Sequence, residues 1–168
     1  MALIDIGYGA EDGPYAISGG NTSIDRTNLA NASGTLDTFE VWLKTSSGSR
    51  SKMGTFSGSP LTYTSRDYET LGAVSSGSKQ TFTGLNCDVE IGDYIGGYFK
   101  AGGGAALEAG ISGGLGTDFY SGDAFTGSPV VFSNFAPDGW VALYGTGTTG
   151  AEEGIIPVNA YYFQNIMR

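Results

Sequence analysis

The chain is written in short stretches of alternating apolar and polar residues, each fenced by glycine, serine, asparagine or aspartate. An alternation of period two sends one side chain inward and the next outward. That suits a strand with one buried face and not a helix, whose apolar positions recur every three or four residues. Residues 36–44 (LDTFEVWLK) carry the pattern most clearly. Asp37, Phe39, Val41 and Leu43 share one side, which predicts the core-facing set. Leu36, Thr38, Glu40, Trp42 and Lys44 share the other, so Trp42 stands as an exposed aromatic among polar neighbours.

The remaining segments fit the same scheme. Residues 62–64 and 69–74 read as two strands, and 80–85 (QTFTGL) as another with Phe82 and Leu85 inward. Leu85, Cys87, Val89 and Ile91 fall two apart, then Gly92-Asp93 makes a tight turn into a strand over 94–99. A later pair is expected at 129–132 and 139–144. No segment shows helical periodicity with caps. With 29 glycines but only 5 prolines, and 40% hydrophobic residues, the chain is neither collagen-like nor disordered. Nine to eleven short strands joined by glycine turns predict an all-β, two-sheet β-sandwich of jelly-roll type, with a closed β-barrel as the alternative.

Two regions stand apart. Residues 101–128 are glycine-rich and read as a loop over one end of the sandwich, with 105–109 at most one helical turn. Residues 145–154 (GTGTTGAEEG) read as a linker or hairpin. The sandwich domain is therefore placed at 1–147, and 148–168 is a linker followed by a last strand or a docking arm. That arm (IIPVNAYYFQNIMR) is strongly apolar. Ile155, Ile156, Val158, Tyr161, Tyr162, Phe163 and Ile166 are its candidate partner-docking residues, acting by strand addition to a neighbouring subunit.

The chemistry is bounded mainly by what is absent. There is no histidine, which removes Ser-His-Asp and Cys-His catalysis and histidine metal ligands. The single cysteine, Cys87, can form no internal disulfide and reads as a small buried hydrophobe. The net charge is −9, from 8 basic and 17 acidic residues, and the basic residues are scattered singly. That opposes nucleic acid and anionic membrane as partners. No run approaches the roughly 20 apolar residues that cross a bilayer as a helix, and no signal peptide is expected. Paired carboxylates could still serve a glycosidase, from among Glu40, Glu69, Glu90 and Glu108. Only Glu40, beside Phe39 and Trp42, has the aromatic surroundings of such a site. No cofactor is called for. The one metal worth weighing is a structural calcium at 11–13, at Asp118 with Asp123, or at Asp138.

Flat aromatic rings are the other signal. Trp42 and Trp140 are the leading candidates for stacking on a glycan, followed by Tyr63, Tyr68, Tyr98 and Tyr120; core packing is the competing role for each.

Residues 28–42 (NLANASGTLDTFEVW), 77–99 (GSKQTFTGLNCDVEIGDYIGGYF) and 143–147 (LYGTG) carry a resemblance. They resemble the β-sandwich modules of bacteriophage and metagenomic structural proteins. Such modules have an Asn-Ala-Ser-Gly turn before a Trp-bearing strand, a Gly-Asp-Tyr-Ile-Gly hairpin and a closing Leu-Tyr-Gly-Thr-Gly. The likeness spans roughly residues 20–147, and the tail beyond departs from it. It implies a virion surface or appendage role with no catalytic residues. The chain is thus expected to be a non-enzymatic structural protein of a phage particle, a capsid decoration or head/tail component. It would be made in the host cytoplasm and would associate with itself and other virion proteins. The alternative is a carbohydrate-binding module of a receptor-binding structure.

Overall fold

The computed structural model describes residues 1–100 and 106–150, and every regular element among them is a strand. The docking-arm residues, Ile155 to Ile166, lie outside the described residues.

Two curled seven-stranded sheets stack in a sandwich-like arrangement. Sheet one holds β1 (Leu3–Ile6), β2 (Tyr15–Ser18), β4 (Gly34–Thr45), β7 (Lys79–Val89), β9 (Ala106–Gly110), β13 (Trp140–Val141) and β14 (Leu143–Thr148). Sheet two holds β3 (Asn21–Asp25), β5 (Ser51–Ser59), β6 (Thr62–Gly72), β8 (Tyr94–Tyr98), β10 (Thr117–Ser121), β11 (Pro129–Val131) and β12 (Ser133–Ala136). Its order is β11-β6-β5-β8-β3-β10-β12, and all pairings in both sheets are antiparallel. In sheet one β4 is the spine, with β14 and β7 along its two sides and β9 against its last residues. β1 pairs with β14, so Leu3 lies opposite Thr148, and the Thr149 N–H donates to the Ala2 carbonyl at 3.0 Å.

The main core lies between the sheets. Ile4 and Ile6, Phe39, Val41 and Leu43, Met53, Cys87, Ile95 and Leu143 meet there, all fully buried. A second, more aromatic cluster occupies the outer face of sheet two. There Ile24, Phe56, Tyr63 and Tyr94 are covered by Ala124, Phe125 and Phe132. The covering segment is tied down by its backbone. Thr22 Oγ1 accepts the Ala124 N–H at 2.9 Å, and Ser65 Oγ accepts the Gly127 N–H at 2.9 Å.

Several expectations are corrected. The inward set of β4 begins with Leu36, and Asp37 is exposed, because a bulge between Leu36 and Thr38 resets the alternation. Residues 62–72 form one strand, not two, with a register shift against β5 between Thr55 and Phe56. Residues 106–110, expected as loop or helical turn, are β9, held between β2 on one edge and β4 and β13 on the other. Residues 145–148 are not linker but the end of β14. A Cβ at Gly147 would sit 1.9 Å from the Thr35 carbonyl oxygen, so glycine here serves close strand packing rather than flexibility. Ile91 leaves the strand pattern and is exposed in the turn before β8.

Candidate functional site

Strand alternation builds the site. In β4, burial of Phe39, Val41 and Leu43 forces Glu40 and Trp42 onto the outer face of sheet one. In β14, buried Leu143 and Gly145 do the same for Tyr144, and in β1 buried Ile4 and Ile6 do it for Asp5. Register then aligns them. Tyr144 is opposite Glu40, Trp42 is opposite Lys79 of β7, and Asp5 is one strand beyond Tyr144. These side chains form the floor of an open groove of about 650 Å³.

The segment 7–11, with Thr27 and Asn28, forms the wall. Gly7 has φ +93° and its N–H donates to the Asn28 carbonyl at 2.8 Å. A Cβ there would lie 2.3 Å from the Leu143 carbonyl oxygen, so only glycine lets the chain turn this close to β14. The turn delivers Tyr8, whose ring lies parallel to Trp140 with centroids 4.5 Å apart.

Trp140 therefore does not offer a free face to a sugar. It is 7% exposed and packed against Tyr8. Its indole also crosses β9 where a Cβ on Gly110 would stand 2.2 Å from Nε1. Its place is behind the site, holding the Tyr8 ring. The rings that line the groove are Trp42, Tyr8 and Tyr144.

The charged groups of the groove are mostly acceptors. Glu40 Oε2 takes a hydrogen bond from Lys79 Nζ at 3.0 Å, an exposed pair worth about 1 kcal/mol or less. Asp5 and Glu11 add two more carboxylates. The Tyr144 phenol is pushed up by burial first and then by the carboxylates of Asp5 and Glu40, so it remains a hydroxyl donor at neutral pH. Rings beside carboxylate acceptors, a phenol donor and an ammonium can hold a polyhydroxylated ring by its face and its edge.

The other expected residues are dispersed. Glu69 accepts the Asn86 N–H, Glu90 pairs with Arg66, and Glu108 is buried beside Lys44 at 3.7 Å, so Glu40 has none of these glutamates in the groove with it. Tyr63 is fully buried and Tyr120 packs on Phe132. Tyr68 keeps partial exposure against Phe125. Of the acids weighed for calcium, Asp118 and Asp123 are each committed elsewhere. Asp118 is buried, accepting from the Tyr63 hydroxyl at 2.6 Å and Asn134 Nδ2 at 3.0 Å, with Arg26 Nε at 3.5 Å. Asp123 pairs with Lys52 at 2.6 Å. Asp138 uses its backbone carbonyl to accept the Gly114 N–H. Glu11 and Asp12 are exposed. Among the described residues, no three His, Cys, Asp or Glu side chains converge as a metal cluster.

Two buried groups belong to the architecture. Asp25 of β3 accepts N–H bonds from Thr27 (2.6 Å) and, across the sandwich, from Val141 (2.9 Å). Burial raises its carboxyl to about 6 against the pull of those bonds. Cys87 is buried as expected, and burial pushes its thiol up to about 12, which leaves no reactive thiolate.

Sequence reasoning found Trp42 through alternation but missed Tyr8, Asp5 and Tyr144. Tyr144 carried the same outward signal, being flanked by Leu143 and Gly145. Tyr8 sits in a loop, where no periodicity points. Comparison of the chain with protein families, characterised proteins and solved structures finds no match.

Proposed function

We propose that this chain is a non-enzymatic recognition module of a phage particle, a sandwich that holds a sugar in the sheet-one groove as part of a receptor-binding structure. The observation that carries the reading is the outward face of β1, β14 and β4 together with the segment 7–11. Three aromatic residues and three carboxylates converge there on one open groove, with Trp140 buttressing the Tyr8 ring from behind. Glu40 is committed to an ion pair with Lys79, the arrangement of an acceptor for hydroxyl groups rather than of a proton donor. The phage setting rests on the likeness of residues 28–42, 77–99 and 143–147 to virion modules.

A glycan array followed by calorimetric titration tests the reading. A hit is expected, and Trp42→Ala should weaken it by about tenfold or more through loss of a stacking face. An array with no hit, or a hit indifferent to Trp42→Ala, rejects the groove as a sugar site.

A second reading, a self-associating capsid decoration or head/tail component, is favoured by the edges of sheet two. β11 and β12 each have one side unpaired among the described residues, and they carry Val131 at 73% and Phe135 at 40% exposure. Open edges of this kind accept an added strand. The apolar residues 155–168 would supply it. Native mass measurement should show an oligomer for the full chain and a folded monomer for a chain ending at residue 150. Assembly of the shortened chain would remove the arm from the account.

A further inference from the structure

The chain as a whole is acidic, yet one end of sheet two gathers positive charge. Lys52 of β5 lies opposite both Thr70 of β6 and Tyr98 of β8, so these three side chains share one row on the outer face. Arg50 stands just before β5 and Lys100 just after β8, which brings both to the same end of that row. With Asp123 the six residues line a pocket of about 290 Å³. Three of the chain's eight basic residues therefore face one cavity that holds a single carboxylate among the described residues.

Lys52 is held in place. Its Nζ donates to Asp123 Oδ2 at 2.6 Å and lies 4.6 Å from the Tyr68 ring centroid, with 18% of the side chain exposed. Asp123 is fixed in turn by accepting the Phe125 N–H at 3.0 Å. Arg50 and Lys100 form no ion pair among the described residues, whereas Arg26, Lys44, Lys52, Arg66 and Lys79 each do. Arg50 also sits at φ +80°, a left-handed conformation that a non-glycine residue adopts at a cost. A chain with net charge −9 repels anions at long range, so a local excess of two positive charges in a concave site is a departure from the rest of the surface.

We propose that this pocket binds an oxyanion group, a sulfate or a phosphate. Arg50 and Lys100 supply the charge, Lys52 is a fixed donor, and the hydroxyls of Thr70 and Tyr98 complete the donor set. A guanidinium presents a planar fork to two oxygens, and charge-assisted hydrogen bonds of this kind are about twice as strong as neutral ones. The oxyanion can be free or carried on a sugar. The site lies on the opposite sheet from the aromatic groove and does not depend on that groove binding anything.

The test is a titration of the full chain at low ionic strength, read by amide chemical shifts, with inorganic phosphate, inorganic sulfate and galactose 6-sulfate as probes. Saturable shifts are expected at residues 50–52, 70, 98–100 and 123, with binding in the millimolar range or tighter that weakens as salt is added. Arg50→Ala with Lys100→Ala should reduce the affinity by about tenfold or more. Asp123→Asn keeps an acceptor for the Phe125 N–H, removes the competing charge, and should tighten binding. Tighter binding of galactose 6-sulfate than of sulfate assigns the oxyanion to a sugar, and equal binding assigns recognition to the anion alone. Absence of saturable shifts for all three probes, or binding unchanged in both variants, overturns the proposal.

Discussion

The outward residues of sheet one, Asp5, Glu40, Trp42 and Tyr144, line an open groove, whereas those of sheet two, Ile24, Phe56 and Tyr63, lie under the segment 122–132. Both sheets obey the same alternation. The difference is in what the outward positions carry. Charged and amphipathic side chains keep their polar ends in water, so sheet one needs no cover. An outward row of Ile, Phe and Tyr has to be buried, and the connection after β10 does this with Phe125 and Phe132. The covered part of sheet two therefore serves stability, and the uncovered face of sheet one is free for recognition.

That division can be broken from either side. The largest effect is expected from Phe56→Ala, which empties a fully buried position between Phe125 and Phe132. Urea denaturation should show a loss of about 3–5 kcal/mol. A loss below about 1 kcal/mol would mean that the covering segment contributes little to the fold.

Asp25 gives the next largest effect, and it depends on pH. Its folded carboxyl titrates near 6 against an ordinary 3.8, because burial disfavours the charge. The folded state therefore favours the protonated acid. The stability it contributes is complete below about pH 4 and is lost as pH rises through about 6. Relative to Asp25→Asn, which stays neutral throughout, the wild-type chain should lose up to about 3 kcal/mol between those limits. Parallel pH profiles for the two proteins would contradict this.

Tyr63→Phe removes the hydroxyl that donates to Asp118 and leaves that buried carboxylate with Asn134 and the Arg26 ion pair. The expected cost is about 1–3 kcal/mol in the same denaturation experiment. The smallest stability change is expected for Trp42→Ala, about 1 kcal/mol by thermal unfolding, since Trp42 is half-buried on the uncovered face with part of its ring against the core. A substitution that loses sugar binding with so little loss of stability would sharpen the contrast between the faces.

The legible regions of this fold are those where one strand's own sequence decides the outcome. Phe39, Val41 and Leu43 face the core as their spacing predicts, and Trp42 falls outward with them as reference. Where two strands must be known together, reading fails. The bulge that exchanges Leu36 for Asp37 arises in the pairing with β7. β5, written SKMGTFSGS, shows no clear apolar alternation, and its Gly54 lies between the backbones of β6 and β8. β9 looks too glycine-bound for regular structure, yet it is held between β2 on one edge and β4 and β13 on the other. The basic pocket is the extreme case. Arg50, Lys52 and Lys100 are isolated along the chain and meet only through the β5–β8 register.

The pairing of β1 with β14 sets how this domain bears load. Ala2 and Thr149 are hydrogen-bonded neighbours, so attachments on either side leave the domain from one point. Tension between them pulls across the antiparallel ladder at its open end, where Leu3 meets Thr148, and the bonds break in succession like a zipper. Strung in line with neighbours, the domain would yield at low force from that corner. Hung from it as a pendant, it would carry no strain through the sheet that bears the groove.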